Sequence, residues 1–389
     1  MRIDLNGLKL IDTHCHDFAL SRENKSFAKC VSMTGDAHPD RDDESTLTYM
    51  NLIGYMRRYY NMPENTPDGE VIAHRNRVYR EDPGEYVRKL REDSRVQYYC
   101  VDIGAPVEGK LHTAEEEAFY KSVIPEHSVR EIVRIEPIMR ELFKEKLSFR
   151  EFTDRFLEQL RQMIREHDAI GVKSVIGYHT GLAIELVAEG RAKEGYEKYI
   201  SGTGNEQDEK ALRDYMIPLS LDVCKELGLP MQFHTGFGSA PMCNLMKMNP
   251  IGMYSLLNDA RYKGKVPMVL LHAGYPYVKE TGILVNNYSN VYSDFSSMIY
   301  TASTGACQAI FEMLAMAPTN KIMYASDTGG YPETTWFAAK YFKEQLGKAL
   351  EKYICDEVIS CGKAMEIAEN ICWKTSCQVY KKLNEIHDN

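Results

Sequence analysis

Short runs of apolar and β-branched residues recur along the chain and alternate with stretches in which apolar positions have helical spacing. Apolar residues at three- and four-residue intervals are typical of amphipathic helices, whereas continuous runs of four to eight are typical of buried strands. Alternating strands and helices predict a parallel sheet closed into a (β/α)8 TIM barrel. The predicted strands are 8–13, 96–103, 131–135, 169–176, 230–233, 266–271, 290–293 and 321–325.

The helical stretches fix the expected domain organisation. Residues 1–389 are predicted to form a single domain, in which the region from about 18 to 94 is a helical insertion after the first strand, over the barrel mouth. The polar segment 201–210 is predicted to be a loop. An open, doubly wound sheet is the alternative architecture, but it does not explain why potential metal ligands follow so many strands. Helices are predicted at 47–60, 66–79, 83–92, 151–166, 212–227, 305–317 and 334–353.

Composition narrows the class of partner. The net charge of −9 disfavours nucleic acid and anionic membranes. No apolar run reaches the length of about 18 residues that a membrane-spanning helix needs. The ten cysteines are scattered, as is typical of thiols in a reducing compartment. We therefore expect a cytoplasmic protein that acts on a small molecule, and the sequence leaves a homo-oligomer open.

Histidines and one aspartate follow the predicted strands directly. His14 and His16 follow the first strand, His234 the fifth, His272 the sixth and Asp327 the eighth, although the chain holds only 11 histidines. In TIM-barrel enzymes the chemistry lies at the C-terminal ends of the strands, so these side chains are predicted to face one cavity.

The spacing within the first strand also favours a metal site. Alternate residues of a strand point to the same face, so His14 and His16 are predicted to lie together, with Cys15 on the opposite side. Imidazoles and a carboxylate suit a divalent ion, with zinc as the first choice and manganese or iron as alternatives.

Four segments carry a resemblance to a known family. The order of histidines, lysine and aspartate resembles the amidohydrolase superfamily, in its amidohydrolase-2 branch. The segments are also similar to the N-terminal hydrolase part of the nodulin and fungal-regulator fusions to glutamine synthetase. The similarity is strongest over residues 165–340, and the segments are FHTGFG (233–238), LLHAGYPYVKETG (270–282), NVYSDFS (290–296) and KIMYASDTGGYPET (321–334).

The resemblance implies a role for each residue at the strand ends. Asp327 would bind the metal and act as the general base. His272 would bind a second metal, or would steer the attacking water and polarise the substrate. Lys173 stands where some members carry a carboxylated lysine that bridges two metals, although one ion is preferred here. The implied ligands of the first ion are His14, His16, His234 and Asp327.

Three residues are candidates for binding substrate. Arg134 on the third strand could hold a substrate carboxylate through two nitrogens, or could pair with Glu136 or another acid. His179 follows the fourth strand at a position where the relatives commonly carry arginine. An inward-facing lysine is costly to bury without a partner, so Lys173 could also contact substrate or a carboxylate as a plain ammonium.

Together these features predict a metal-dependent hydrolase that cleaves an amide or other C–N bond of a small molecule through a metal-activated water. A lactonase or a non-oxidative decarboxylase of the same superfamily would use the same metal ligands. A non-catalytic barrel that binds a small molecule is the alternative of a different class. The sequence leaves these choices open, because the substrate pocket lies in loops without matched motifs.

Overall fold

The computed structural model describes residues 3–16, 27–32, 39–104, 118, 122–125, 128–238 and 243–386. Parts of the predicted insertion, at 18–26 and 33–38, lie outside the described residues. Eight parallel strands pair in chain order within the described ranges, which confirms the TIM barrel. The strands are β1 Leu10–Cys15, β2 Val96–Asp102, β3 Val129–Arg134, β4 Gly171–Ser174, β5 Met231–Phe233, β6 Met268–Leu270, β7 Val291–Asp294 and β8 Ile322–Met323.

Backbone hydrogen bonds between the first strand and the segment after the last one close the barrel. The amide of Asp327 donates to the carbonyl of His14 at 2.8 Å, and the amide of His16 donates to the carbonyl of Thr328 at 2.8 Å. The closure therefore brings Asp327 next to His14 and His16, although more than three hundred positions separate the aspartate from the two histidines along the chain.

The seven predicted helices are present, with ends that differ by at most six residues, and the structure has further helices that apolar spacing did not predict. They are α1 Asp40–Glu44, α2 Leu47–Tyr59, α3 Asp68–Glu81, α4 Pro83–Ser94, α5 Ile135–Lys144, α6 Phe149–Glu166, α7 Ile176–His179, α8 Glu189–Ser201, α9 Glu206–Leu227, α10 Tyr254–Leu257, α11 Val278–Asn287, α12 Met298–Thr301, α13 Gly305–Met316, α14 Pro332–Cys355, α15 Cys361–Glu369 and α16 Thr375–Val379. No helix among the described residues combines the length and apolarity needed to cross a bilayer.

The predicted loop at 201–210 is wrong at both ends. Helix α8 continues to Ser201, and α9 begins at Glu206, so only four residues lie between the two helices. Asn205 and Asp208 form a capping box, in which each side chain accepts a hydrogen bond from the other residue's backbone amide. Because this cap satisfies the first amides of α9, the polar and acidic residues there begin a helix.

The last helix of the predicted insertion forms part of the outer layer of the barrel. Helix α4 packs against α14, and the carboxylate of Asp93 accepts from the Trp336 ring nitrogen at 2.6 Å and from Lys340 at 3.2 Å. Helix α2 lies near the barrel mouth, where the Thr48 hydroxyl donates to the carbonyl of Tyr300 at 2.9 Å. Helix α4 is therefore not part of a cover over the mouth, and the predicted cover by the rest of the insertion stays a prediction.

Apolar residues fill the end of the barrel opposite the histidines. Tyr380 packs close to Gly171, which is the first residue of β4, while Lys173 lies further along that strand toward the mouth. The Tyr380 hydroxyl also accepts a hydrogen bond from the side-chain amide of Gln232 at 2.7 Å. Tyr380 belongs to a cluster with strand residues that include Ile11, Ile132 and Val269, so the C-terminal segment closes this end.

Candidate metal centre

Two histidines and one aspartate meet where β1 pairs with the segment after β8. The Nε2 atom of His14 lies 3.0 Å from Oδ1 of Asp327, and Nε2 of His16 lies 3.2 Å from the same oxygen. His14 is fully buried, whereas His16 and Asp327 are partly exposed toward the mouth. We call His14, His16 and Asp327 the β1/β8 group.

Strand periodicity and an unusual backbone conformation produce this arrangement. Cys15 points away from the two histidines, and its sulfur lies 3.7 Å from the carbonyl oxygen of Cys100. Asp327 has a φ of 53°, in the left-handed region that non-glycine residues seldom adopt. Such conformations cost free energy and are concentrated at functional sites, so the backbone at Asp327 supports a functional role.

The spacing within the β1/β8 group fits a divalent ion. Two ligand atoms that each lie about 2.1 Å from one ion are about 3.0–3.4 Å apart at octahedral or tetrahedral angles. The two distances to Asp327, 3.0 and 3.2 Å, fall in that range. In addition, the Nδ1 atoms of His14 and His16 are buried without a hydrogen-bond partner among the described residues, so each ring has unused capacity.

His234 and His272 form a second group, which contacts the first through Asp327. Their rings are joined by a 2.9 Å contact between Nδ1 of His234 and Nε2 of His272. Nδ1 of His272 lies 3.7 Å from Oδ2 of Asp327. His272 also has a positive φ, of 65°, in the turn after β6. We call His234 and His272 the β5/β6 group.

Every ring nitrogen of the β5/β6 group is engaged. Nε2 of His234 lies 3.0 Å from the carbonyl oxygen of Phe237, and Nδ1 of His272 lies 2.8 Å from the hydroxyl of Ser296. That hydroxyl lies 2.5 Å from the carboxylate of Asp294, which also accepts from the backbone amide of His272. These groups form a row of four contacts, which runs from the carbonyl of Phe237 to the carboxylate of Asp294.

A count of protons shows what this row requires. Two neutral imidazoles and one hydroxyl supply three protons for the four contacts. Burial raises the pKa of Asp294 to about 6, so at neutral pH this group is mainly a carboxylate that accepts from the Ser296 hydroxyl. Both imidazoles are neutral because their pKa values are lowered, so one of the four contacts has no proton.

Burial keeps His14, His234 and His272 neutral, and the neutral imidazole is the form that binds metals. Burial lowers the pKa of His14 to about 3, with a further contribution from the positive charge of Lys173. It lowers the pKa of His272 to about 4 and that of His234 well below the usual value. Burial alone would raise the pKa of Asp327, but the surrounding imidazoles outweigh it, and Asp327 is a carboxylate at neutral pH.

Asp102, at the end of β2, is a site residue that the sequence interpretation missed. Its carboxylate is bound by Nε and Nη2 of Arg134, and it lies 3.4 Å from the ammonium of Lys173. Ligand atoms of His14, His16 and Asp102 all lie within 4.8 Å of one another. The signal in the sequence that could have identified Asp102 is its position as an acidic residue near the end of the predicted strand 96–103.

The structure defines the partners of Arg134 and Lys173. Of the two roles considered for Arg134, the structure has the ion pair with an acid, and the acid is Asp102 rather than Glu136. Lys173 is buried, and its Nζ lies 2.8 Å from Nε2 of His14. Burial lowers the pKa of Lys173, and the charge of Asp102 opposes this effect. Asp102 therefore supplies a counter-charge to two buried cations.

His179 does not join the centre. It lies at the end of α7 and lines a separate cavity of about 280 Å³, of which Arg134 forms another wall. Burial and the charge of Arg213 lower the pKa of His179 to about 3, so its ring is neutral.

Comparisons with known proteins point to a family for this chain. The Amidohydro_2 family model, described as amidohydrolase, matches residues 203–381. Protein fluG of Emericella nidulans is 31% identical over 246 residues, which are 60% of this chain and 28% of the fungal protein. The chain therefore spans less than a third of the length of that relative.

A solved structure extends the likeness over the whole chain. A Lactobacillus casei protein described as a metal-dependent hydrolase is 25% identical, with a TM-score of 0.83 over 99% of this chain and 100% of that one. These comparisons support a place for this chain in the amidohydrolase-2 branch of the amidohydrolase superfamily. A uronate isomerase from Thermotoga maritima, 13% identical, has a TM-score of 0.71 over 96% of this chain and 95% of its own, which shows that the two share a fold.

Proposed function

We propose that this chain cleaves an amide or other C–N bond of a small molecule. In this proposal the β1/β8 group holds one divalent ion, with zinc as the first choice and manganese or iron as alternatives. The observation that carries the proposal is the contact of two imidazole nitrogens with a single oxygen of Asp327, at distances that suit ligands of one ion. His234 is the fourth ligand that the sequence predicts. Because its ring nitrogens face Phe237 and His272, its role is tested separately from that of the β1/β8 group.

In this proposal the two carboxylate oxygens of Asp327 have different roles. A bound divalent ion would supply an acidified water and polarise the substrate carbonyl. Oδ1 faces His14 and His16, so Oδ2 is the oxygen that accepts a proton from the attacking water and returns it to the leaving nitrogen. Nδ1 of His272 lies 3.7 Å from Oδ2, which places this neutral ring beside the oxygen that accepts the proton.

The surroundings of Lys173 favour an ammonium over a carboxylated side chain. Its nitrogen faces the carboxylate of Asp102, which gives a buried cation the counter-charge that it needs. A carboxylated Lys173 would place a second anion beside Asp102. This supports one ion rather than two.

Metal content and turnover together test the proposal. Elemental analysis of the purified protein should give about one transition-metal ion per chain, and panels of amides, lactones and carboxylic acids should show turnover on amides. The variant Asp327→Asn should lower kcat/KM on the amide by at least about a hundredfold, because it removes the base. Turnover on lactones or acids alone would replace the C–N reaction class, and a metal-free protein without turnover would favour the non-catalytic barrel.

A further inference from the structure

A second cavity adjoins the proposed metal centre, and Arg134 is the wall between them. The cavity has a volume of about 280 Å³ and lies between α5 and the helices α8 and α9. On one side Arg134 binds Asp102, whose carboxylate lies within reach of His14 and His16, and on the other side Arg134 lines the cavity. The two sites therefore share a residue.

Arg134 has an unused donor at this cavity. The residue is 4% exposed, and Nε and Nη2 both donate to Asp102. Nη1 is buried with no hydrogen-bond partner in the part of the chain that the structure describes. A buried guanidinium nitrogen without a partner is costly, so it calls for an acceptor in the cavity.

The backbone makes room for Arg134 at this wall. A Cβ atom built at Gly104 would lie 2.3 Å from Cβ of Arg134, so a larger residue there would displace the arginine. The amide of Gly104 donates to Asp102 at 3.0 Å, which helps to fix the same pair. The position of Arg134 is thus built into the local backbone.

Two more arginines and a histidine complete the polar lining. Arg213 is buried and donates through Nε to Glu209 at 2.7 Å, and Arg140 lies on the neighbouring helix α5. The Nε2 atom of His179 is buried without a partner among the described residues and can donate a hydrogen bond. The acids of the lining are Glu209 and Glu136, and Glu136 already accepts from Ser174 and from the amide of Val175.

The rest of the lining is apolar. The rings of Phe143 and Tyr199 lie 4.9 Å apart and form one wall, and Pro137 and Val175 form part of another. Apolar walls with a few converging donors are typical of sites for small organic molecules. A bare inorganic ion would leave the aromatic wall without a contact.

We propose that this cavity is a separate site that binds a small organic molecule through its carboxylate group, on the far side of the Arg134–Asp102 pair from the metal centre. Binding at this site can be tested without turnover. A monovalent, planar carboxylate matches a guanidinium donor better than a phosphate does here, because Glu136 and Glu209 would repel a dianion more strongly.

Binding of glutarate to the full chain tests the inference directly. Isothermal titration would use chelator-treated protein, so that no metal contributes, with glutaramide as the uncharged analogue and inorganic phosphate as the second anion. The variants are Arg213→Gln and Arg140→Gln, each checked for folding by circular dichroism. The matched control is Arg150→Gln, since the side chain of Arg150 is 92% exposed and lies outside the cavity lining.

Glutarate should bind the unmodified protein and should bind Arg213→Gln at least about tenfold more weakly, since a charge-assisted hydrogen bond is lost. Arg140→Gln should weaken binding in the same direction, and Arg150→Gln should leave it unchanged. The inference would be overturned if glutarate did not bind, if glutaramide bound as tightly as glutarate, or if phosphate bound more tightly than glutarate. It would also be overturned if both lining variants bound glutarate as tightly as the unmodified protein does. Turnover of neutral amides without carboxylate binding would overturn the inference alone, whereas glutarate binding without metal or turnover would overturn the proposed function alone.

Discussion

The two groups of histidines differ in how their ring nitrogens are used. In the β1/β8 group, His14 and His16 each have a buried Nδ1 without a hydrogen-bond partner among the described residues, and both point Nε2 at one oxygen of Asp327. In the β5/β6 group, both nitrogens of His234 and of His272 are engaged with neighbouring polar atoms. Imidazoles with unused capacity around a carboxylate suit a cation, whereas imidazoles in a hydrogen-bonded row suit a fixed orientation.

The difference arises from the backbone at the end of each strand. At β1 the two histidines alternate with Cys15 along a chain segment that pairs with residues up to Thr328, so backbone pairing and the turn at Asp327 bring the three side chains together. At β6 the chain leaves the strand in a left-handed turn at His272, and β7 supplies Asp294 and leads into Ser296, which hold that turn. Histidines at the ends of β1 and β6 therefore have different environments.

The largest expected effect comes from removing each group in turn. The double variant His14→Ala plus His16→Ala should bring the metal content from about one ion per chain to near zero. It should lower kcat/KM by at least about a thousandfold, because loss of the ion removes several kcal/mol of transition-state stabilisation. His234→Ala should retain more metal, since its ring nitrogens contact Phe237 and His272.

Elemental analysis and kinetics on the same preparations would check this prediction. His74→Ala, at a partly buried position on helix α3, is a matched control for the loss of a histidine, and it should keep both metal and turnover. Equal loss of metal in His234→Ala and in the double variant would break the comparison, because it would show that the two groups hold the ion jointly.

The next effect is on stability and concerns the carboxylate beneath the β1/β8 group. Asp102→Asn should lower the free energy of unfolding by about 3–5 kcal/mol, because it leaves the buried cations of Arg134 and Lys173 without a full counter-charge. Burial would raise the pKa of Asp102, but Arg134 and Lys173 hold it well below the usual range, so the carboxylate is charged across the neutral pH range.

Urea unfolding measured by circular dichroism gives the size of this loss. Asp154→Asn is the control, because the side chain of Asp154 is 69% exposed and its ion pair with Arg150 lies on the surface of α6. Surface pairs of this kind contribute about 0–1 kcal/mol. A loss below about 1 kcal/mol in Asp102→Asn would show that the cations are compensated by other groups.

The sequence predicts those parts of the molecule that depend on local periodicity. The eight strands follow from apolar runs, and the meeting of His14 with Asp327 follows once a parallel barrel is assumed, since its first and last strands must pair. The partner of Arg134 lies at the end of the neighbouring strand β2, whereas proximity along the chain points to Glu136 and misses Asp102. The division between the two histidine groups depends on individual ring nitrogens, for which the sequence carries no signal.

The smallest effect separates orientation from stability within the β5/β6 group. Ser296→Ala removes the hydroxyl between His272 and Asp294, and it should lower the free energy of unfolding by about 1–3 kcal/mol because buried polar atoms lose their partner. Ser293→Ala is the matched control, since the Ser293 hydroxyl is equally buried but donates to the carbonyl of Leu270. Both variants should lose similar stability and keep the metal, whereas kcat should fall about tenfold in Ser296→Ala alone, because the ring of His272 loses the contact that orients it. Equal kcat in the two variants would show that the row of hydrogen bonds stabilises the barrel without positioning His272 for the reaction.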